Sequence, residues 1–191
     1  MKLTIRLSIA LAIVAALVVT SSASSQVTSG VVEGCTLQQA FAARGITRVT
    51  VLEEQVLAAI NSLRHQHGLV TLRLNARLTA TAREHSLSMA EHGYFEHSSI
   101  TGSPFWKRIH AKYPQRGGRF WSVGENMAWG SPDLSTRQVL HLWLRSSPHA
   151  KNLLTRAFRE IGLGAVHALA APGAYKGHTV TILTVDFGIR R

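Results

Sequence analysis

Ten histidines are spread along the 191-residue chain, and two of them occupy positions where imidazole chemistry is readily built. His97 follows Gly93-Tyr94-Phe95-Glu96, just past an amphipathic run, with two aromatics to bury the loop and fix the ring. His149 comes directly after Ser147-Pro148, in the first turn of a helix. There the helix dipole disfavours the imidazolium, and a neutral ring binds a metal or accepts a proton. Glu125 stands in Ser122-Val123-Gly124-Glu125-Asn126-Met127-Ala128-Trp129, an acid within an otherwise apolar stretch. A buried carboxylate needs partners, and two imidazoles or a bound cation would supply them. The plainer alternative is three polar side chains, each satisfied separately. His65, His67, His85 and His92 read as surface or packing residues of the first two helices, and His110, His141, His167 and His178 are similarly isolated.

The elements that must position these groups begin at Thr50. Thr50 and Glu53 match a capping box, and Leu52, Val56, Ile60 and Leu63 recur near helical spacing until Gly68. Asn75 is a good N-cap for a second helix to about His92, with Gly93 as its stop. Ser103-Pro104 predicts a short helix over Phe105 to Lys112, broken by Tyr113-Pro114 and Gly117-Gly118. Asp133 or Ser135 opens another through Val139, Leu142 and Trp143, and Ser147-Pro148 caps the last one. Trp106, Trp121 and Trp129 are expected around the cleft. Ile161 to Val166 and Thr179 to Phe187 are β-branched and partly alternating, and Ala171-Pro172-Gly173 suits the turn between them. Helices first and strands late predict an α+β fold with an antiparallel pair.

The ends of the chain set the context. A basic start with Lys2 and Arg6, an apolar run from about Leu7 to Val19 and small residues at Ser21 and Ala23 read as a secretory signal over residues 1–23. Residues 24–49 read as a leader or linker, with a short helical possibility at Leu37 to Ala43, and 50–191 as one domain. Cleavage would lower the net charge of +11 by the two removed cations, to +9. Such a balance in a secreted, periplasmic or extracellular protein favours anionic partners and argues against nucleic acid, for which no binding motif is visible. The mature chain has no further long apolar run, so no membrane span is expected. Cys35 is the sole cysteine and has no internal disulfide partner, leaving stability to the core.

Several segments together resemble the CAP superfamily of cysteine-rich secretory proteins, venom antigens and plant pathogenesis-related proteins. They are Ile60-Asn61-Ser62-Leu63-Arg64, Leu72-Arg73-Leu74-Asn75, Gly93-Tyr94-Phe95-Glu96-His97, Gly124-Glu125-Asn126, Trp143 with Ser147-Pro148-His149, and Phe158-Arg159-Glu160-Ile161-Gly162. The resemblance covers about Val56 to Gly188. It implies an α-β-α sandwich around a small antiparallel sheet, and a central cleft lined by His97, Glu125 and His149. It further implies that His97 and His149 hold a divalent cation such as zinc, with Glu125 assisting directly or through water. Many relatives carry a second glutamate after the tryptophan of the penultimate helix. Here Trp143-Leu144-Arg145-Ser146-Ser147 has none, a departure that fits the prokaryotic branch, as does the lack of paired cysteines.

Two functions follow from that site. One is a binding or signalling module for an anionic lipid, glycan, cell-wall polymer or protein partner. The other is a metal-dependent, peptidase-like hydrolase in which His97 and His149 hold zinc and Glu125 takes the proton of a bound water. A third reading, in which the three residues only pin loops to the scaffold, involves no chemistry at all.

Overall fold

The computed structural model describes residues 45–117 and 120–191. The expected signal and residues 24–44 of the expected leader, with Cys35 and the helical stretch at Leu37 to Ala43, lie outside the described residues, while Ile46–Arg48 of that leader form a strand. In chain order the elements are β1 (Ile46–Arg48), α1 (Thr50–Gln66), β2 (Arg73–Leu74), α2 (Ala76–His92), α3 (Phe105–Lys112), β3 (Trp121–Gly130), α4 (Thr136–Leu144), α5 (Ser147–Leu154), β4 (Glu160–Ala168) and β5 (Val180–Arg190), with a 3-10 turn at Gly173–Tyr175.

The sheet runs β1-β4-β5-β3, and β2 adds to β4 beside β1. All pairs are antiparallel except the two-residue β2 against β4. Successive side chains on a strand point to opposite faces, and the two faces meet different helices. Ile161, Leu163, Leu183, Val185, Phe187 and Ile189 pack with Val56, Ile60, Val139, Trp143 and Leu153 of α1, α4 and α5. The alternate positions carry Gly162, Gly164, Thr184, Asp186 and Gly188, and these meet α2 and α3. At Gly162 and Gly164 the backbone of α2 lies so close that any Cβ would sit 2.1 and 2.3 Å from it. Helices therefore cover both faces of the sheet, the sandwich that the resemblance implied. Sheltered on both sides, β5 is buried from Val180 to Ile189, as a central strand should be.

Polar side chains inside α1 tie the layers together. Asn61 exchanges hydrogen bonds with the backbone of Leu72, donating to its carbonyl (3.1 Å) and accepting from its N–H (2.8 Å). Arg64, fully buried, donates to the carbonyls of Val70, Leu153 and Thr155 and so locks the end of α5 against α1. These bonds account for the Asn-x-x-Arg spacing and fix the helix that carries His149.

The helix starts differ from expectation in detail. Thr50 and Glu53 form no capping box: Val49 is the N-cap and makes no side-chain cap bond. Glu53 is drawn instead into tertiary contacts, accepting from Arg48 (2.9 Å), Arg83 (2.8 Å) and the backbone N–H of Ala165 (3.1 Å). That N–H lies on the outer edge of β4, between the stretches paired by β1 and β2, and a buried donor there must be satisfied. Asn75 caps α2 through Arg77 and Leu78, and Gly93 ends it with φ of +70°. Of Asp133 and Ser135, Ser135 is the cap of α4, in a reciprocal pair with Gln138. Pro104 and Ser146 are the N-caps of α3 and α5, each one residue away from the serine expected.

Candidate functional site

β3 is the free edge of the sheet, and the site is built across that edge. The loop after α2 brings His97 from one face, while α5 brings His149 from the other. An unpaired edge exposes backbone donors and acceptors, and Asn152 of α5 covers part of this one. Its amide donates to the carbonyl of Glu125 (3.0 Å) and to Asn126 Oδ1 (2.9 Å), while Asn126 donates to the carbonyl of His149 (3.1 Å). Gly124 lets Asn152 approach this closely, since a Cβ there would lie 2.7 Å from Asn152 Oδ1. The Gly-Glu-Asn sequence is thus the seam between β3 and the helix of His149.

The Glu125 side chain is fully buried, and both of its oxygens are engaged. Oε1 meets His97 Nδ1 at 2.7 Å, and Oε2 is ion-paired with Arg108 Nη2. Arg108 reaches from α3 and also donates from Nη1 to the His97 carbonyl (3.3 Å) and Ser99 Oγ (3.4 Å). The partners of the buried carboxylate are thus one imidazole and one guanidinium. The His97 side chain is 49% exposed, so its ring borders solvent while Glu125 holds Nδ1. The rings of His97 and His149 lie 6.4 Å apart, centroid to centroid, tilted by 41°. Burial, then the neighbouring charge of His97, pushes the His149 imidazole below its ordinary value of 6.5. The direction is the one expected from the helix dipole, with a different principal cause.

Two more buried residues border the site. Asp186 on β5 stands opposite Glu125 in the register and is fully buried. Its Oδ2 accepts from Thr81 Oγ1 at 2.5 Å, while Oδ1 has no donor among the described residues. Burial, then the charge of Glu125, pushes the Asp186 carboxyl well above the usual aspartate range, against the opposing pull of Thr81 and Arg108. His85 of α2 is also buried, and burial drives it down to about 4. The neutral ring places Nε2 2.9 Å from the Glu96 carbonyl, tying down the residue next to His97.

Sequence reasoning named His97, Glu125 and His149, and the fold brings all three to one edge. It missed Arg108 and Asp186; His85, read as a surface or packing residue, is buried on α2. Asp186 carries the signal that singled out Glu125, an acid inside an apolar strand, in Thr184-Val185-Asp186-Phe187. Arg108 and His85 gave no local signal. The aromatic ring against His97 is Phe105, at 6.1 Å. Trp121 donates to the Tyr113 carbonyl and meets His110, Trp129 packs edge-on to Tyr175, and Trp106 is exposed. Among the described residues, no three His, Cys, Asp or Glu side chains are grouped to enclose a metal ion, and no helix is long and apolar enough to cross a membrane.

Residues 57–183 match the family described as CAP, the cysteine-rich secretory protein family. YkwD of Bacillus subtilis is 33% identical over 123 residues, which is 63% of this chain and 44% of YkwD. The chain therefore spans less than half the length of that relative. Among solved structures, an extracellular SCP-domain protein from Bacillus anthracis superposes with a TM-score of 0.53 and 26% identity, covering 72% of this chain and 40% of that one. An outer surface protein from Borrelia burgdorferi superposes with a TM-score of 0.61 over 76% of this chain and 98% of its own, at 20% identity, a likeness of fold alone. With the family matched over most of the described residues and the same fold found in surface and extracellular proteins, the chain belongs to the cysteine-rich secretory protein (CAP) family.

Proposed function

We propose that this is an exported CAP-domain binding or signalling module whose edge cleft holds a divalent cation between His97 and His149. The observation that carries the reading is the double engagement of Glu125. With Oε1 on His97 Nδ1 and Oε2 on Arg108, the acid orients an imidazole instead of standing free as a base. A carboxylate on one ring nitrogen leaves the other to face a metal, a common arrangement behind metal-bound histidines. Metal–nitrogen distances of about 2.0–2.1 Å put the ring centroids of two tetrahedral ligands roughly 5–5.5 Å apart, so the rings, 6.4 Å apart here, would draw together by about 1 Å around an ion. A His149 ring biased toward its neutral form suits the same role.

Two protein nitrogens make a loose site, completed by water or by oxygen atoms of a partner. The cation would act as a Lewis acid toward those oxygens. A hydrolase draws less support, because catalytic zinc usually has three protein ligands and needs a free base. The partner classes compatible with a basic exported domain are an anionic lipid, a glycan, a cell-wall polymer or a protein. Extracellular placement of structural relatives fits the export reading.

Calorimetric titration with Zn²⁺ tests the proposal. Wild type should bind, while His97→Ala and His149→Ala should each lose at least tenfold in affinity with their folds intact. Unchanged affinity in His149→Ala would overturn the assignment. Hydrolysis of a casein-derived peptide by zinc-loaded wild type, abolished in Glu125→Gln, would instead install the enzymatic reading.

A further inference from the structure

At the end of the sheet away from the histidines is a recess of about 360 Å³ whose wall is dominated by arginine. Arg73 of β2, Arg116 of the loop after α3, Arg159 just before β4, Arg190 at the end of β5 and Arg191 line it, with Glu160 as the single acid of the lining. These come from four separate parts of the chain, so no local basic run explains them. The fold assembles them because β4 starts, β5 ends and β2 pairs at the same place: Glu160 is opposite Gly188, and Arg73 is beside Glu160.

The one acid offsets a single positive charge among five guanidiniums, and the recess stays strongly positive. Glu160 is occupied by a hydrogen bond from Tyr113, another from Asn75 Nδ2 (2.8 Å) and a 3.9 Å ion pair with Arg190. Two of the guanidiniums are held in place. Arg190 lies over the Tyr113 ring, 4.1 Å from its centroid, with its side chain 7% exposed. Arg159 is anchored through Nη1 to the carbonyls of Arg156, Ala157 and Phe158. Arg73, Arg116 and Arg191 are exposed at the rim. Like charges gathered into one hollow repel, and an anion placed between them relieves the repulsion. Planar guanidinium forks match tetrahedral oxyanions, phosphate above all. The volume lies at the low end of small-ligand sites, which run from about 300 to 1,000 Å³.

We infer that this arginine recess binds a phosphate-bearing anion, independently of the histidine cleft. Arg190 is four residues along β5 from Asp186, roughly 13 Å at the rise of a strand, and the recess shares no lining residue with the histidine cleft.

The test uses inorganic pyrophosphate by calorimetry at low ionic strength, and co-sedimentation with vesicles of phosphatidylglycerol against phosphatidylcholine. Arg73→Gln/Arg116→Gln changes two exposed rim residues. Arg137→Gln/Lys151→Gln removes the same charge from the exposed surfaces of α4 and α5 and serves as control, and melting curves check both folds. Wild type and control should bind alike within twofold, and the recess variant should lose at least tenfold. Loss seen with pyrophosphate alone supports the inference with a free phosphate as ligand, and loss seen with phosphatidylglycerol vesicles supports it with a lipid headgroup. Equal loss in both double variants would make total charge the cause and overturn it, as would failure of wild type to bind either probe.

Discussion

Glu125 on β3 and Asp186 on β5 stand opposite each other in the sheet register, both buried on the face covered by α2 and α3. Arg108 reaches Glu125, so one guanidinium balances one carboxylate. The second acid has no such counter-ion, and two like charges in a low-dielectric interior cannot both be held cheaply. The neutral form of Asp186 is the one its surroundings favour.

Asp186→Asn should become more stable relative to wild type as pH rises. The folded pKa lies above the ordinary aspartate value of 3.8. Between those two values the native state holds a proton that the unfolded chain has released. The stabilisation is full below 3.8 and is lost as pH climbs through the folded value, with a slope of at most about 1.4 kcal/mol per pH unit. Asparagine keeps the shape and removes the titration. Urea unfolding of both proteins from pH 4.5 to 8 checks it, and parallel curves would refute a protonated Asp186.

His85 should give the opposite slope. Its imidazole is pushed from 6.5 to about 4, so within that window the unfolded chain binds a proton that the native state does not. The stabilisation is complete above 6.5 and disappears as pH falls through 4, about 3 kcal/mol in all. His85→Gln keeps a donor for the Glu96 carbonyl without the charge change. Its stability should vary less than wild type between pH 6.5 and 4, read by chemical denaturation at each pH.

Much of this architecture was legible because local signals and tertiary needs agree. Apolar spacing marked α1 and α2, Asn75 and Gly93 marked the ends of α2, and β-branched runs marked β4 and β5. β1 and β2 are three and two residues long, too short to show alternation. β3 is an edge strand whose pattern is broken by the residues of the site itself, Gly124, Glu125 and Asn126. Glu53 shows a local rule overridden: the spacing of a cap is present, but two arginines and a strand N–H hold the carboxylate elsewhere. His97, Glu125 and His149 stood out by their local settings. Arg108 did not, because what makes it part of the site is the reach of a helix side chain over a loop.

Arg108→Met should destabilise the protein by about 3–5 kcal/mol, the usual result of stripping one partner from a buried ion pair. The side chains of Arg108 and Glu125 are 12% and 0% exposed, so water cannot replace the lost charge. Adding Glu125→Gln should recover most of the loss by removing the stranded carboxylate. Four denaturation curves complete the double-mutant cycle. A double variant no better than Arg108→Met would mean that the arginine acts through its bonds to His97 and Ser99 instead.

Gly124→Ala tests whether the seam between β3 and α5 positions the cleft. The added methyl would meet Asn152 Oδ1 at 2.7 Å and the Phe158 ring at 3.1 Å. Phe158 is stacked on Phe187 in the core, so Asn152 is the side chain with room to yield. Overpacking of this kind costs about 1–3 kcal/mol, and displacing Asn152 also withdraws its bonds to Glu125 and Asn126. The variant should therefore melt earlier, and its amide exchange should quicken first in β3 around Glu125 and in α5, the two elements that Asn152 joins. Exchange that quickens evenly across the whole sheet would show that the glycine serves packing alone and that the seam has no particular hold on the edge where His149 meets His97.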